Sequence, residues 1–135
     1  MTPLYATDLL QFQRQFRFPG GRLRRMRFIN RRGEAAIELI LAVRTAPKSL
    51  GDSAEPVLLR LRIDGVEEYR FQKRPTMIAG KLSDCRLGYF QDLFFINLDA
   101  WGLPAGEVPK AHDFRASDAY AAGRSMAWEI ISKNK

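Results

Sequence analysis

Val57-Leu58-Leu59-Arg60-Leu61-Arg62-Ile63, residues 57–63, alternates with a period of two. Val57, Leu59, Leu61 and Ile63 fall on one side, while Arg60, Arg62 and the following Asp64 fall on the other. A half-buried strand requires that pattern, because successive side chains leave a strand in opposite directions. Asp64-Gly65 then predicts a turn, and Tyr69 and Phe71 extend a short piece beyond it.

The segments upstream supply partners for this strand. In residues 34–45 (EAAIELILAVRT), Ile37, Leu39, Leu41 and Val43 face one way and Ala36, Ile40 and Ala42 the other. This predicts a central strand covered on both faces. A helix could be written through residues 35–43, but the turn residues Arg31-Arg32-Gly33 and the beta-branched positions favour a hairpin with residues 22–30. That earlier stretch, RLRRMRFIN, alternates imperfectly. Leu23, Met26 and Phe28 share a face only if a bulge falls near Arg24-Arg25. Residues 4–16 read as a helix, with Leu4, Tyr5, Leu9, Phe12 and Phe16 at three- and four-residue steps and Thr7 or Asp8 as cap. Phe18-Pro19-Gly20-Gly21 is expected to stop it.

Downstream, residues 46–56 form a loop and residues 73–84 are irregular. Residues 85–90 and 93–99 predict a hairpin around Gln91-Asp92, and residues 101–113 a second long loop. The end, with Met126, Trp128 and Ile130 on one face, predicts two short strands meeting at Gly123-Arg124. The inventory is an α+β fold: one short N-terminal helix with six or seven mostly antiparallel strands, as an open sheet or a partly closed barrel.

With 135 residues, 46% of them hydrophobic, the chain has material for one core and is expected to be a single domain, 1–135. No run approaches the length a membrane helix needs, and the first residues lack the basic-then-apolar order of a secretory signal. The single cysteine, Cys85, excludes an internal disulfide and a cysteine zinc cage, and the single histidine, His112, excludes any two-histidine site. The expected location is the cytoplasm.

Charge is distributed unevenly. The net charge is +7, from 22 Lys+Arg and 15 Asp+Glu. Eight of those bases and one acid, Asp8, lie in residues 1–32, so the rest of the chain balances. Every base in that first quarter is an arginine: Arg14, Arg17, Arg22, Arg24, Arg25, Arg27, Arg31 and Arg32. Arginine forms planar, bidentate contacts to carboxylate and phosphate that lysine does not. The plainer reading is a solvated charged face paired with acids from elsewhere in the chain.

Catalytic constellations are weak. Asp92, Asp99, Asp113 and Asp118 could converge with His112 around the loops, but their spacing matches no metal-ligand pattern. Cys85 has only His112 as a base, and Glu67-Glu68 beside Asp64 read as a solvated rim. Gly20-Gly21 precedes a strand, not the helix a phosphate loop requires. No cofactor and no metal is expected.

The order FPGGRLRRMRF, AAIELILAV, VLLRLRIDGVEEYRF and ASDAYAAGRSMAWEI, across roughly residues 10–131, resembles immunity-protein family 50 of bacterial polymorphic toxin systems. Pro19-Gly20-Gly21 stands where that family's opening carries a polar pair. The resemblance implies a small, non-enzymatic, beta-rich domain that neutralises a toxin by binding it. The expected function is therefore protein binding, with an acidic partner gripped by Arg22, Arg24, Arg25, Arg27, Arg31 and Arg32, and with Trp101 as a loop anchor. Two alternatives stay open: nucleic-acid binding by the same arginines, and an enzyme built around Asp99, His112 and Asp113. Pairing of edge strands into a homodimer is also open.

Overall fold

The structure, a computed structural model, describes residues 1–47, 53–71, 82, 85–98, 110–115 and 119–133. Its centre is β4 (Pro56–Phe71), in which Val57, Leu59, Leu61 and Ile63 are buried while Leu58, Arg60, Arg62 and Asp64 are half-exposed. The alternation of residues 57–63 is thus obeyed residue by residue. β3 (Glu34–Thr45) pairs antiparallel with β4 and with β2 (Phe16–Arg31). The β2–β3 hairpin turns at Arg32 and Gly33, whose φ angles of 52° and 79° are those of a type I′ turn. Such a turn matches the right-handed twist of the strands it joins.

The expected bulge is present. Leu23 lies opposite Leu41 and Arg25 opposite Ile40, which leaves Arg24 as the extra residue. Leu23, Met26 and Phe28 are thereby brought to the same side as Leu41, Leu39 and Ile37. A second break was not expected. Phe18-Pro19-Gly20-Gly21 does not end an element; it sits inside β2, between Arg17 opposite Arg44 and Arg22 opposite Ala42.

β7 (Ala119–Lys133) runs along the other side of β4 as one strand. Gly123 therefore interrupts nothing. A β-carbon there would stand 2.8 Å from the Asp64 carbonyl oxygen, so glycine lets β7 pass close to β4. Asp64-Gly65 is likewise no turn: β4 continues through it, and the irregularity is a register shift between Val66 and Glu68. On its far side β7 pairs with β6 (Leu93–Asn97) and, further along, with β1 (Thr2–Leu4). β5 (Arg86–Phe90) completes the β5–β6 hairpin, turning at Gln91-Asp92 as expected, with φ of 53° and 63°.

The result is a mostly antiparallel, seven-stranded sheet in the order β2-β3-β4-β7-β6-β5, with β1 also on β7. It is not closed. Two backbone bonds tie the chain ahead of β5 to β2: Gly20 N–H donates to the Leu82 carbonyl (3.1 Å), and Leu82 N–H donates to the Gly21 carbonyl (2.8 Å).

The inner face carries the main core, covered by α1 (Leu9–Arg14). The N-terminal helix is shorter than residues 4–16. Thr2–Leu4 is strand, Ala6–Asp8 is a 3-10 turn, and only Leu9–Arg14 is α-helix. Of the five apolar residues at helical spacing, Leu4, Leu9, Phe12 and Phe16 are buried but Tyr5 is 64% exposed, so the spacing marks burial at four positions and conformation only in part. Phe12 is the keystone of this layer, 5.3 Å from the Phe16 ring and 5.1 Å from the Trp128 ring. Burying such a ring contributes about 1.5–3 kcal/mol.

A second, smaller core lies on the outer face. There α2 (Ala111–Arg115), which begins within the last residues of the stretch expected to be loop, packs Phe114 against Phe95, Phe90 and Tyr120. Asp113 accepts a hydrogen bond from Lys110 N–H (2.7 Å), which satisfies a donor at the helix start.

Candidate functional site: the arginine face

Residues directly opposite each other in an antiparallel pair point the same way. The β2–β3–β4 register therefore sorts the arginines. Arg22, Arg25, Arg27 and Arg31 lie opposite Ala42, Ile40, Glu38 and Glu34, all on the outer face away from the core. Arg17 and Arg44 share that face, as do Arg60 and Arg62 on β4. Arg24 occupies the bulge and Arg32 the turn. All six arginines of the expected docking segment are exposed.

Acids on this face neutralise only part of it. Glu38, 9% exposed, holds its Oε1 3.9 Å from Arg27 Nη1 and 3.7 Å from Arg60 Nε. Arg60 also binds Glu129, and Arg62 Nε donates to Asp64 Oδ1 at 2.9 Å. This is a line of alternating charge across four strands: Arg27, Glu38, Arg60, Glu129. Among the described residues no carboxylate comes within 4.0 Å of the guanidinium groups of Arg22, Arg24, Arg25, Arg31 or Arg32. Glu34, opposite Arg31, turns instead toward Arg124 (3.5 Å). Of the arginines in residues 1–32, only Arg27 is paired with an acid among the described residues, at 3.9 Å from Glu38; the others present exposed guanidinium groups, as a solvated charged face does.

The Arg17–Arg22 break opens a depression of about 510 Å³ on the same face. Gly20, Gly21, Ala42 and Val43 line its base, and Arg17, Arg22 and Arg44 surround it.

Other expected residues fall elsewhere. Trp101, Asp99 and Asp118 lie outside the described residues, as does the side chain of His112. Asp92 is in the β5–β6 turn, and Asp113 serves the start of α2. Among the described residues no group of three His, Cys, Asp or Glu side chains is placed to hold a metal ion. Cys85 is buried in the main core, 2% exposed. No helix among the described residues is long and apolar enough to cross a membrane.

Glu67 and Glu68 are not a common rim. Glu67 lies 3.8 Å from Arg124, whereas Glu68 accepts two hydrogen bonds from Arg115 (Nε at 2.7 Å, Nη2 at 3.2 Å) and one from the Tyr120 hydroxyl (3.2 Å). The Arg115 hydrogen bond outweighs partial burial and holds the Glu68 carboxyl below the usual carboxylate range. Burial, then the Glu68 charge, pushes the Tyr120 hydroxyl up. Arg115 also lies over the Phe95 ring, 5.4 Å from its centre. This cluster fastens α2 to the sheet.

Phe28 is not core. It is 55% exposed and packs 5.0 Å from the ring of Tyr69, itself 56% exposed, on the face opposite the arginines. The ladder places it on the core side at the hairpin end, beyond the reach of α1. The sequence reading missed the contribution of Arg17, Arg44 and Glu38 to the arginine face. Counting outward from Arg32-Gly33 would have found the Arg27–Glu38 pairing, because a two-residue turn fixes hairpin register.

Searches against protein-family models, curated proteins and solved structures returned no match to this chain.

Proposed function

We propose that the protein is a non-enzymatic binding domain that docks an acidic protein surface on the outer side of β2, through Arg22, Arg24, Arg25, Arg27, Arg31 and Arg32. One observation carries this reading: five of these six guanidinium groups are exposed and have no carboxylate within 4.0 Å among the described residues. The planar guanidinium fork is pre-organised, so less freedom is lost per hydrogen bond than with lysine, and arginine is among the residue types that dominate interface energy. Arginines along an edge strand also discourage pairing with a second copy, which suits a face meant for a different partner.

An acidic protein is favoured over nucleic acid by the position of the aromatic rings. Single-stranded nucleic acid is held by charge together with exposed rings on which bases stack. Here the mutually packed exposed rings Phe28 and Tyr69, two of the four exposed aromatics among the described residues, lie on the opposite side of the sheet from the arginines. Inhibition of a toxin is the form of docking that the resemblance in element order suggests.

Charge reversal tests the proposal. Arg24→Glu, Arg25→Glu and Arg27→Glu together are expected to leave the circular dichroism spectrum unchanged and to abolish capture of the partner that the unaltered protein retains. Equal recovery of that partner by the triple variant would refute the reading. Binding of an arbitrary oligonucleotide that weakens steeply with salt would favour nucleic acid instead.

A further inference from the structure

The depression between Arg17 and Arg22 has features that protein docking does not explain. Arg17 and Arg44 are directly opposite each other across the β2–β3 ladder. Like charges in that position repel, and the pair destabilises a sheet unless something neutralises it. Among the described residues no carboxylate reaches Arg17, Arg44 or Arg22 within 4.0 Å. Among the described residues these three guanidinium groups make one hydrogen bond, a long one from Arg44 Nη1 to the Ala54 carbonyl at 3.5 Å.

The backbone beneath them requires glycine at two positions, Gly20 for its conformation and Gly21 for its close approach to β3. Gly20 has φ +83°, a conformation that side-chain-bearing residues rarely adopt. A β-carbon on Gly21 would lie 2.8 Å from the Ala42 carbonyl oxygen and 3.0 Å from that of Phe18. Gly20 and Gly21 are also the residues bonded to Leu82, so the bulge is anchored on its far side. The volume, about 510 Å³, is within the range of small-molecule sites.

We infer that this depression is a site for a phosphate monoester dianion, held between the guanidinium groups of Arg17, Arg22 and Arg44. A dianion neutralises the opposed Arg17–Arg44 pair, and planar guanidinium groups match phosphoryl oxygens in bidentate geometry. The phosphoryl group belongs either to a free small molecule or to a phosphorylated side chain of another protein. The site is at the opposite end of β2 from Arg31 and Arg32; it shares Arg22 with the docking face, but Arg17 and Arg44 belong to it alone.

Calorimetric titration with O-phosphoserine in about 0.1 M chloride tests it. Saturable one-to-one binding is expected, with a dissociation constant of about 1 mM or tighter. Arg17→Gln with Arg44→Gln is expected to weaken it at least about tenfold, the loss of one or more charge-assisted hydrogen bonds. Arg31→Gln with Arg32→Gln removes the same charge from the far end of β2 and is expected to leave the affinity within about twofold. Equal weakening in both double variants would show a general charge effect and overturn the site. So would an absence of saturation in the unaltered protein. Tighter binding of a phosphoserine peptide than of phosphoserine assigns the group to a protein; equal binding assigns it to a small molecule.

Discussion

Glu38 on β3 and Arg60 on β4 meet diagonally across the outer face of the sheet, with Oε1 of the acid 3.7 Å from Nε of the arginine. Glu38 is 9% exposed, and Arg60 Nε is buried without a hydrogen bond. The contact is a Coulombic one made at poor hydrogen-bonding geometry. Its removal is therefore expected to act through the half-exposed Arg60, whose buried Nε loses the carboxylate facing it. Glu38→Gln is expected to cost about 1–2 kcal/mol in urea unfolding, because among the described residues Arg60 then keeps only Glu129 and Arg27 loses its one carboxylate. Glu38→Leu with Arg60→Leu removes both charges and is expected to recover most of that loss. A double variant as unstable as the sum of its singles would show that the two side chains are not coupled.

Stability is expected to fall at both ends of the pH scale through the cluster under α2. The folded protein holds the Glu68 carboxyl below its ordinary value of 4.5, chiefly through the Arg115 hydrogen bond. Its contribution is present above the unfolded value and lost as pH falls through the folded one. Tyr120 is shifted the other way, above its ordinary value of 10.0, by burial and by Glu68. That contribution is complete below the unfolded value and lost as pH rises through the folded one. Thermal melts across pH 3–5 are expected to be flatter for Glu68→Gln, and melts above about pH 9.5 flatter for Tyr120→Phe. Unchanged profiles would count against the cluster as a source of stability.

The strands were legible where one face is core and the other water. Val57 to Ile63 is such a case, and so is the β2–β3 hairpin, including the bulge at Arg24. Glycine misled the reading three times, at Gly20-Gly21, Gly65 and Gly123, because all of them lie inside long strands. A glycine marks either a break or a close approach, and sequence alone does not distinguish these. The apolar spacing of residues 4–16 carried burial for all but Tyr5, and not conformation, since β1 pairs with β7, more than a hundred residues away. The arginine face was legible as composition. Its geometry was not, because it depends on the second break in β2 and on Arg44, Arg60 and Arg62 from other strands.

Phe114 is expected to decide whether α2 stays on the sheet. It is fully buried, 5.6 Å from the Phe95 ring and 5.7 Å from Phe90, and it is the largest apolar contact α2 makes. Phe114→Ala is expected to cost about 3–5 kcal/mol in chemical denaturation, through lost burial and the cavity left behind. A loss below about 1 kcal/mol would mean that the site collapses or that α2 contributes little to the global transition.

Arg24 separates the role of a position from the role of its side chain. The side chain is exposed and has no ion-pair partner among the described residues, so Arg24→Ala is expected to change stability by no more than about 0.5 kcal/mol. The backbone position is the bulge itself. Deleting Arg24 leaves Leu23 directly followed by Arg25, already opposite Leu41 and Ile40, so β2 alternates regularly and Leu23, Met26 and Phe28 keep the core side without a bulge. The deletion is therefore expected to cost no more than about 1 kcal/mol, read from the urea midpoint. A loss above about 2 kcal/mol would show instead that the extra twist at the bulge is needed to lay Leu23 and Met26 on the main core.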